Sequence, residues 1–358
     1  MTTVERYARA VDEVQWKVGE EFSSVFTWEY ADGRAGLKTL YEKGKALQWN
    51  VSTRIDWSQD LDPENPQGLP DQGITIFGSA VWERLTPKEK ANLRRHMQAW
   101  QLSQFLHGEQ GALLCTSKIV LQVPNADAKF YAATQVMDEA RHVEAYARLL
   151  HDKFELVYPI TPTLKRLLND VLSDSRWDMT YLGMQVLVEG LALAAFQRIR
   201  DQATNALAAA VNAYVMQDEA RHVAFGRLAL RDYYPELTQA ERDEREEFAV
   251  EACYLMRDRF VSEEVWETVG LPVKECVEYA AGSEMMRAFR SRLFSRIVPT
   301  IKDIGLWGPK IRRAYSDMGI IGFADVDSEA LLANDQRVAE EFDARRQGDT
   351  AATRPAAR

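Results

Sequence analysis

Asp138-Glu139-Ala140-Arg141-His142-Val143 recurs letter for letter as Asp218-Glu219-Ala220-Arg221-His222-Val223, 80 residues further along a chain of 358. An identity of six residues within one chain points to an internal repeat. The repeat is larger than the hexapeptide, because Glu109 precedes Glu139 by 30 residues and Glu189 precedes Glu219 by the same 30. Glutamate and histidine three positions apart on a helix project from one face, one turn along. Each copy is completed by a glutamate from the segment before it.

The surroundings of both copies read as helical. Apolar residues recur at helical spacing from about position 84 onward, and no strict alternation bounded by turn residues argues for a sheet. The fold is therefore predicted to be all-α. Thr86-Pro87-Lys88-Glu89 carries a cap, a proline suited to the first helical position and the glutamate of a capping box, opening a helix that runs to Val123-Pro124. Asn125 and Asp127 offer caps for a second helix, reaching about Lys153 and ending before Pro159. A third segment, Pro162 to about Asp201, should break near Ser173-Asp174-Ser175, where three cap-type side chains compete for backbone hydrogen bonds. A fourth covers about Asn205 to Asp232. Thr238 and Glu241 form another capping box, opening a helix predicted to last until about Gly270, and Pro272 begins one more, broken before Pro299.

Counting along the hairpins places the acidic residues. Pro124 lies 15 residues after Glu109 and 15 before Glu139, and Thr204 stands midway between Glu189 and Glu219 in the same way. In antiparallel pairs each couple of carboxylates then sits at one height above its turn. Together the hairpins supply four carboxylates and two imidazoles, the set that two neighbouring hard-to-borderline metal ions need. A single Glu-x-x-His is usually a solvated surface pair; two in register with two further glutamates are not. Glu189 is the most telling, since it lies within Val186-Leu187-Val188-Glu189-Gly190-Leu191-Ala192-Leu193-Ala194-Ala195-Phe196, where a lone charge would be costly. Glu109, flanked by His107, Gly108, Gln110 and Gly111, is also readable as an exposed helix residue. Asp138 and Asp218 are suited to hold the second ring nitrogen of a ligating imidazole, with Arg141 and Arg221 neutralising them.

These residues resemble the ferritin-like, ribonucleotide-reductase-type di-iron carboxylate superfamily, in which a glutamate from each of two helices joins a Glu-x-x-His from each of two others. The Asp-Glu-x-Arg-His form is most similar to the di-iron oxygenase branch, and the resemblance covers about residues 86 to 232. It implies a ferritin-like helical bundle with additional helices. It also implies one ligand set of Glu109, Glu139 and His142 and another of Glu189, Glu219 and His222, holding two Fe ions or a mixed Mn/Fe pair. The implied activity is a non-haem di-iron monooxygenase or oxidase, with O2 as co-substrate, that hydroxylates, N-oxygenates or desaturates a small or carrier-linked organic substrate. The alternative is a radical-generating subunit like that of ribonucleotide reductase, or a metal-storage protein. Tyr146, four residues after His142, is the candidate redox or pocket residue. The chain departs from several relatives: Val215 stands where arylamine N-oxygenases carry an extra histidine, Leu193 where monooxygenase hydroxylases carry threonine, and Gly111 where ligand-binding oxidases carry a cross-linking valine.

Composition bounds the rest. A net charge of −10, from 44 basic and 54 acidic residues without a long basic run, argues against a nucleic-acid partner. Cysteines at 115, 253 and 276 make no CxxC pair, so neither a disulfide framework nor an internal iron-sulfur cluster is expected. An external electron donor, a ferredoxin or reductase, would then be required. Met1 to Gly19 lacks the apolar core of a signal peptide, and the chain reads as a cytoplasmic protein without a membrane partner. Homodimerisation is expected by analogy. The expected organisation is an irregular region over 1–85, whose turn-rich Asp60 to Gln72 is a candidate lid, a four-helix core over 86–232, packing helices over 233–333 and a frayed or disordered tail over 334–358. Trp100, Phe105, Tyr181 and Phe225 are either pocket or core, with core the default.

Overall fold

Residues 16–19, 23–27 and 34–352 are described by the computed structural model, and every regular element among them is helical. Residues 1–15, on which most of the signal-peptide reading rests, lie outside the described part. Helix α1 (Ala35–Ala46) precedes the bundle. α2 (Pro87–Gln122) starts as its sequence dictates: the Glu89 amide donates to the Thr86 hydroxyl, while the Glu89 carboxylate accepts the Thr86 amide at 2.8 Å. α3 (Ala126–Arg148) is capped by Asn125, which accepts from the Ala128 amide at 2.8 Å. Asp127 does not cap; it accepts the Arg34 amide instead. After α3 the chain takes a wide π-helical turn over Leu149–Phe154 and stops at Glu155, whose φ of 49° is left-handed. α4 (Pro162–Ser173) is followed by the predicted break and by α5 (Trp177–Gln202). α6 (Ala206–Tyr233) takes its cap from Asn205.

Two antiparallel hairpins, α2 with α3 and α5 with α6, form the bundle and turn at the predicted residues. α5 is long and apolar enough to cross a membrane by length and composition, but 83% of that window is buried, because it is an inner helix of the bundle. A π-helical turn over Leu182–Val188 lies directly before Glu189. Such an inserted residue re-aims the side chains beyond it, and π-turns gather at functional positions. The segment expected as a lid seals the α5–α6 turn: the amides of Thr204 and Asn205 donate to the carbonyls of Gly68 and Gln67, both at 3.3 Å. Gly68 has a φ of +63°, and a Cβ there would lie 2.0 Å from Thr204 Oγ1, so only glycine fits.

Three expectations beyond the bundle are corrected. The helix predicted from Thr238 to about Gly270 is divided into α7 (Gln239–Asp258) and α8 (Glu263–Val269) by Ser262, whose φ of 55° reverses the chain. The helix predicted from Pro272 to before Pro299 is α9 (Val273–Gly282), α10 (Glu284–Leu293) and α11 (Ile297–Asp303). Pro299 sits in the first turn of α11, where its missing N–H has no partner to lose. α12 (Pro309–Asp317) is followed by α13 (Ser328–Ala352), so the tail expected to fray from Asn334 is helical to residue 352. Its anchor is Asp335, buried and accepting from Arg200 at 3.0 Å and Arg296 at 2.7 Å. Residues 353–358 lie outside the described part.

Candidate metal centre

The bundle brings together the six side chains that the repeat singles out. Glu109 from α2, Glu139 and His142 from α3 and Glu219 from α6 each place a donor atom within 4.8 Å of the others, and Glu139, Glu189 and His222 do the same. Both imidazoles turn Nδ1 inward. His142 Nδ1 is 3.0 Å from Glu219, 3.3 Å from Glu109 and 3.4 Å from Glu139. His222 Nδ1 is 3.1 Å from Glu139 and 3.4 Å from Glu219. Each hexapeptide glutamate therefore faces both imidazoles, whereas the earlier glutamates do not. The two sets implied by resemblance share their middle: Glu139 also joins Glu189 and His222, and Glu219 also lies beside His142.

The outward ring nitrogens are held crosswise. His142 Nε2 lies 3.2 Å from Asp218, and His222 Nε2 lies 3.2 Å from Asp138, so each imidazole is held by the aspartate of the other hexapeptide. Arg141 donates to Asp138 and, at 2.9 Å, to Asp218; Arg221 likewise donates to both. These arginines are buried, not surface charge. Two residues outside the bundle complete the layer: Trp49 Nε1 donates to Asp218 at 2.7 Å, and Gln48 Nε2 donates to Asp138 at 2.8 Å. Their separations of 169 and 90 residues from these partners left no periodicity to betray them.

The electrostatics follow from burial. Burial first, then Glu219, pushes the Glu109 carboxyl up to about 8, and burial with Glu219 and Glu139 pushes Glu189 well above the usual range. Burial acts against charge on the imidazoles, but Asp218 and Glu109 hold His142, and Glu139 and Glu219 hold His222, well above the usual value. Burial would raise Glu139 too, yet His222 and His142 outweigh it and lower that carboxyl.

The donors fit a pair of metal ions. Glu139 Oε2, Glu189 Oε2, both oxygens of Glu219 and His222 Nδ1 are buried without a hydrogen-bond partner. Each such orphan costs about 1–3 kcal/mol, and all of them belong to side chains of the two donor groups. Carboxylate oxygen and imidazole nitrogen suit iron and manganese alike. With Nε2–H given to an aspartate, the Nδ1 lone pair is left for a metal.

Two adjoining cavities lead to this cluster. The inner one is bordered by Glu109, Glu189 and Glu219 together with Met184, Val188 and Phe196. The outer one is bordered by Leu69 and Pro70 from the 60–72 segment, by Trp100 and by α8's approach at Phe260 and Ser262. Gln104, Phe105 and Arg259 border both. Trp100 and Phe105 are thus cavity residues, while Tyr181 and Phe225 pack on each other at 5.0 Å and border neither. Tyr146 is fully buried behind the wall, its ring 5.7 Å from Phe105 and 5.8 Å from Phe196, and its hydroxyl donates to Asn212 at 3.1 Å. Val215 and Leu193 are buried core residues, and a Cβ on Gly111 would lie 2.6 Å from Leu168. Gln135, Trp49, Gln48 and Arg259 were not singled out by sequence; Gln135 donates to Glu139 at 2.9 Å and to Glu189 at 3.1 Å.

A sequence model of the family described as P-aminobenzoate N-oxygenase AurF matches residues 31–305. No curated protein matches the chain. Among solved structures it is similar to dimanganese(II)-NrdF of Streptococcus sanguinis, at 15% identity over 84% of this chain and 100% of that one, with a TM-score of 0.52. The ribonucleotide reductase Rnr4 homodimer from Saccharomyces cerevisiae follows at 15% identity, 80% and 83% coverage and a TM-score of 0.51. An R2-like ligand-binding oxidase with a Mn/Fe cofactor gives 19% identity, 79% and 96% coverage and a TM-score of 0.49. The fold is the ferritin-like helical bundle.

Proposed function

The chain belongs to the P-aminobenzoate N-oxygenase AurF family, and from that premise we propose that it is a dinuclear-metal oxygenase or oxidase that uses O2 to oxidise a small organic substrate. The observation that carries this reading is the buried cluster of four carboxylates and two imidazoles, five of whose donor atoms have no hydrogen-bond partner. Glu109, Glu139, His142, Glu189, Glu219 and His222 are the proposed ligands. Two iron ions, or a manganese–iron pair, bound there supply the redox chemistry that activates dioxygen.

The chain's own residues do the rest. Asp138 and Asp218 orient the imidazoles by accepting Nε2–H, and Arg141 and Arg221 pair with both aspartates and so offset negative charge beside four glutamates. Met184, Val188 and Phe196 exclude water from the face bordered by Glu109, Glu189 and Glu219. Amine nitrogen is the first reacting group to test, because N-oxygenation is the activity by which the family is described. Buried Val215 leaves the cluster without a third imidazole, so the proposed reaction proceeds on two. The electron donor is proposed to be a separate ferredoxin or reductase. The reduced cytoplasm, where three buried cysteines stay unpaired, is the proposed setting, and a homodimer the proposed assembly.

The test is anaerobic iron loading followed by O2, with and without arylamines, other small substrates and carrier-linked ones. About two metal ions per chain and substrate-dependent product are expected. Substrate-independent, stoichiometric tyrosyl radical would instead mark a radical subunit, and growth of a mineral core a storage protein.

A further inference from the structure

The outer face of the α2–α3 hairpin carries no charge. Over residues 101–122 of α2 and 130–143 of α3 every Asp, Glu, Lys and Arg is buried, in a chain whose residues are 27% charged. What the hairpin shows to water is apolar: Leu114, Leu121, Phe130 and Met137 are exposed, Met137 at 60%, with Ala133 and Ala140 exposed between them. The outer faces of the two helices adjoin, because Lys129 of α3 donates to the Val120 carbonyl of α2 at 2.9 Å, and Val120, Leu121 and Phe130 border one groove. Residues 24–27 border that groove too, tied to α2 by the Val25 amide, which donates to the Leu121 carbonyl at 2.8 Å; Phe26 nevertheless stands 95% exposed. From Phe130 to Glu144 is about 21 Å along the helix and two helices are about 20 Å across, so the face projects roughly 400 Å², at the upper end of what a soluble monomer leaves to water.

We propose that a second copy of this chain covers this face, α3 against α3 in antiparallel register about a two-fold axis that passes between Val136 and Met137. That operation sets Val136 opposite Met137, Ala133 opposite Ala140 and Phe130 opposite Val143 of the second copy. Alanine thus meets alanine where two helices must approach closely, and a large side chain meets a medium one at the centre and at either end. The same operation sets Lys129 opposite Glu144. Glu144 is exposed and pairs with no cation among the described residues, and Lys129 has only the carbonyls of Val120 and Leu121. One such ion pair at each end favours the antiparallel arrangement, since parallel helices would oppose like charges. An uncharged face gives a charged electron-donor protein nothing to steer it, whereas a copy of itself needs only apolar cover. The face supplies about half of the roughly 800 Å² that each partner buries in a standard interface, and the segment of Phe26 beside it extends the area. The inference assigns a surface to the assembly proposed above and rests on no metal chemistry.

The test is the mass of the intact chain in solution, by light scattering and sedimentation velocity over a range of concentrations. Wild type should be a dimer. Met137→Glu puts one charge from each copy at the axis and should weaken the dimer by about 100-fold or more, as expected of a buried charge without a partner. Ala140→Glu should act in the same direction, and circular dichroism with thermal melting checks that each variant folds. Engineered cysteines then read the register, the native three being buried. Ala133→Cys mixed and exchanged with Ala140→Cys should cross-link on oxidation. Either variant alone should not, since its cysteine lies about 10 Å along the helix from its symmetry mate, beyond disulfide reach. A monomeric wild type overturns the proposal together with the assembly, and leaves the face to the electron donor. A dimer that ignores both glutamate variants overturns the assigned face alone. Cross-linking of either single cysteine variant, or none in the mixture, overturns the antiparallel register.

Discussion

Asp218→Asn should weaken one half of the metal centre and spare the other. The Asp218 carboxylate is at 0% exposure and accepts from His142 at 3.2 Å, Trp49 at 2.7 Å, Arg141 at 2.9 Å and Arg221. Burial opposes its charge, but Arg221, His142 and Arg141 hold it well below the ordinary carboxylate range. Truncation to alanine would leave two guanidinium groups, an indole N–H and an imidazole N–H short of a buried acceptor. Breaking such a buried pair costs about 3–5 kcal/mol, a large part of the roughly 5–15 kcal/mol that typically holds a domain together. Asparagine keeps the shape and one acceptor oxygen while removing the charge, so it is the better probe. Loss of an orienting acceptor costs roughly 10- to 100-fold in metal affinity. Because Asp218 serves His142, that loss should fall on the group of Glu109, Glu139, His142 and Glu219, whereas His222, held by Asp138, keeps its affinity. The assay is metal titration of the metal-free variant with elemental counting, and anomalous scattering to locate the ion at limiting metal. One ion beside His222 is expected, and Asp138→Asn should give the mirror image. Occupancy lost beside His222 in Asp218→Asn, or lost equally at both positions, would refute the crosswise pairing.

Other expectations rest on the same geometry. Glu139→Ala removes a carboxylate that faces both imidazoles and should abolish loading of both ions, whereas Glu189→Ala should spare the ion beside His142; elemental analysis of the two variants decides. In the metal-free centre Glu109 is raised to about 8, Glu189 well above the usual carboxylate range and both imidazoles well above theirs, all of which favour the protonated forms that loading has to displace. Apparent metal affinity should then rise with pH and a weakly buffered solution should acidify on loading; a pH-independent isotherm would contradict this. Gly111→Val drives side-chain atoms into Leu168 and should destabilise the chain by about 1–3 kcal/mol in urea unfolding. Gly68→Ala, strained by its φ of +63° and by contact with Thr204, should loosen the α5–α6 turn and lower the melting temperature.

The helices were legible where they advertise their starts: Thr86 with Glu89, Asn125 after Pro124, and Thr238 with Glu241 cap as read, and the fourth bundle helix begins beside Asn205 where expected. Breaks without such chemistry were not legible. Ser262 adopts a left-handed φ although serine has no strong preference for it, so the division of α7 from α8 depends on packing around Trp266 and Val265 and not on a local signal. The tail reads as frayed because it has no aromatic residue apart from Phe342 and ends in alanine, arginine, threonine and proline, whereas the buried pairing of Asp335 that anchors it joins Arg200 and Arg296, 135 and 39 positions away. Within the site, residue types and register were legible from the repeat. Which aspartate serves which imidazole was not, because both pairings satisfy the spacing, and only the crossing of α3 over α6 selects between them.

The repeat itself explains why the two halves of the centre should differ. Two identical hexapeptides generate a pseudo-symmetric set of donors, and were they alone the two metal positions would be equivalent. The segment before the bundle breaks that equivalence, since Trp49 donates to Asp218 while Gln48 donates to Asp138. An indole N–H is a donor only, whereas the Gln48 amide also accepts from Arg141 at 2.7 Å, so it relays that guanidinium's charge rather than merely solvating the aspartate. The imidazole held through Asp218 and the imidazole held through Asp138 thus sit in different fields. Gln135 adds to the difference, because it donates to Glu139 and Glu189, whereas Glu109 is paired with His142. The proposed ligands, drawn from one repeated pattern, are thus set in two unlike surroundings by residues outside the two hexapeptides, and stepwise rather than simultaneous loading is the behaviour expected in the titration of the wild-type chain.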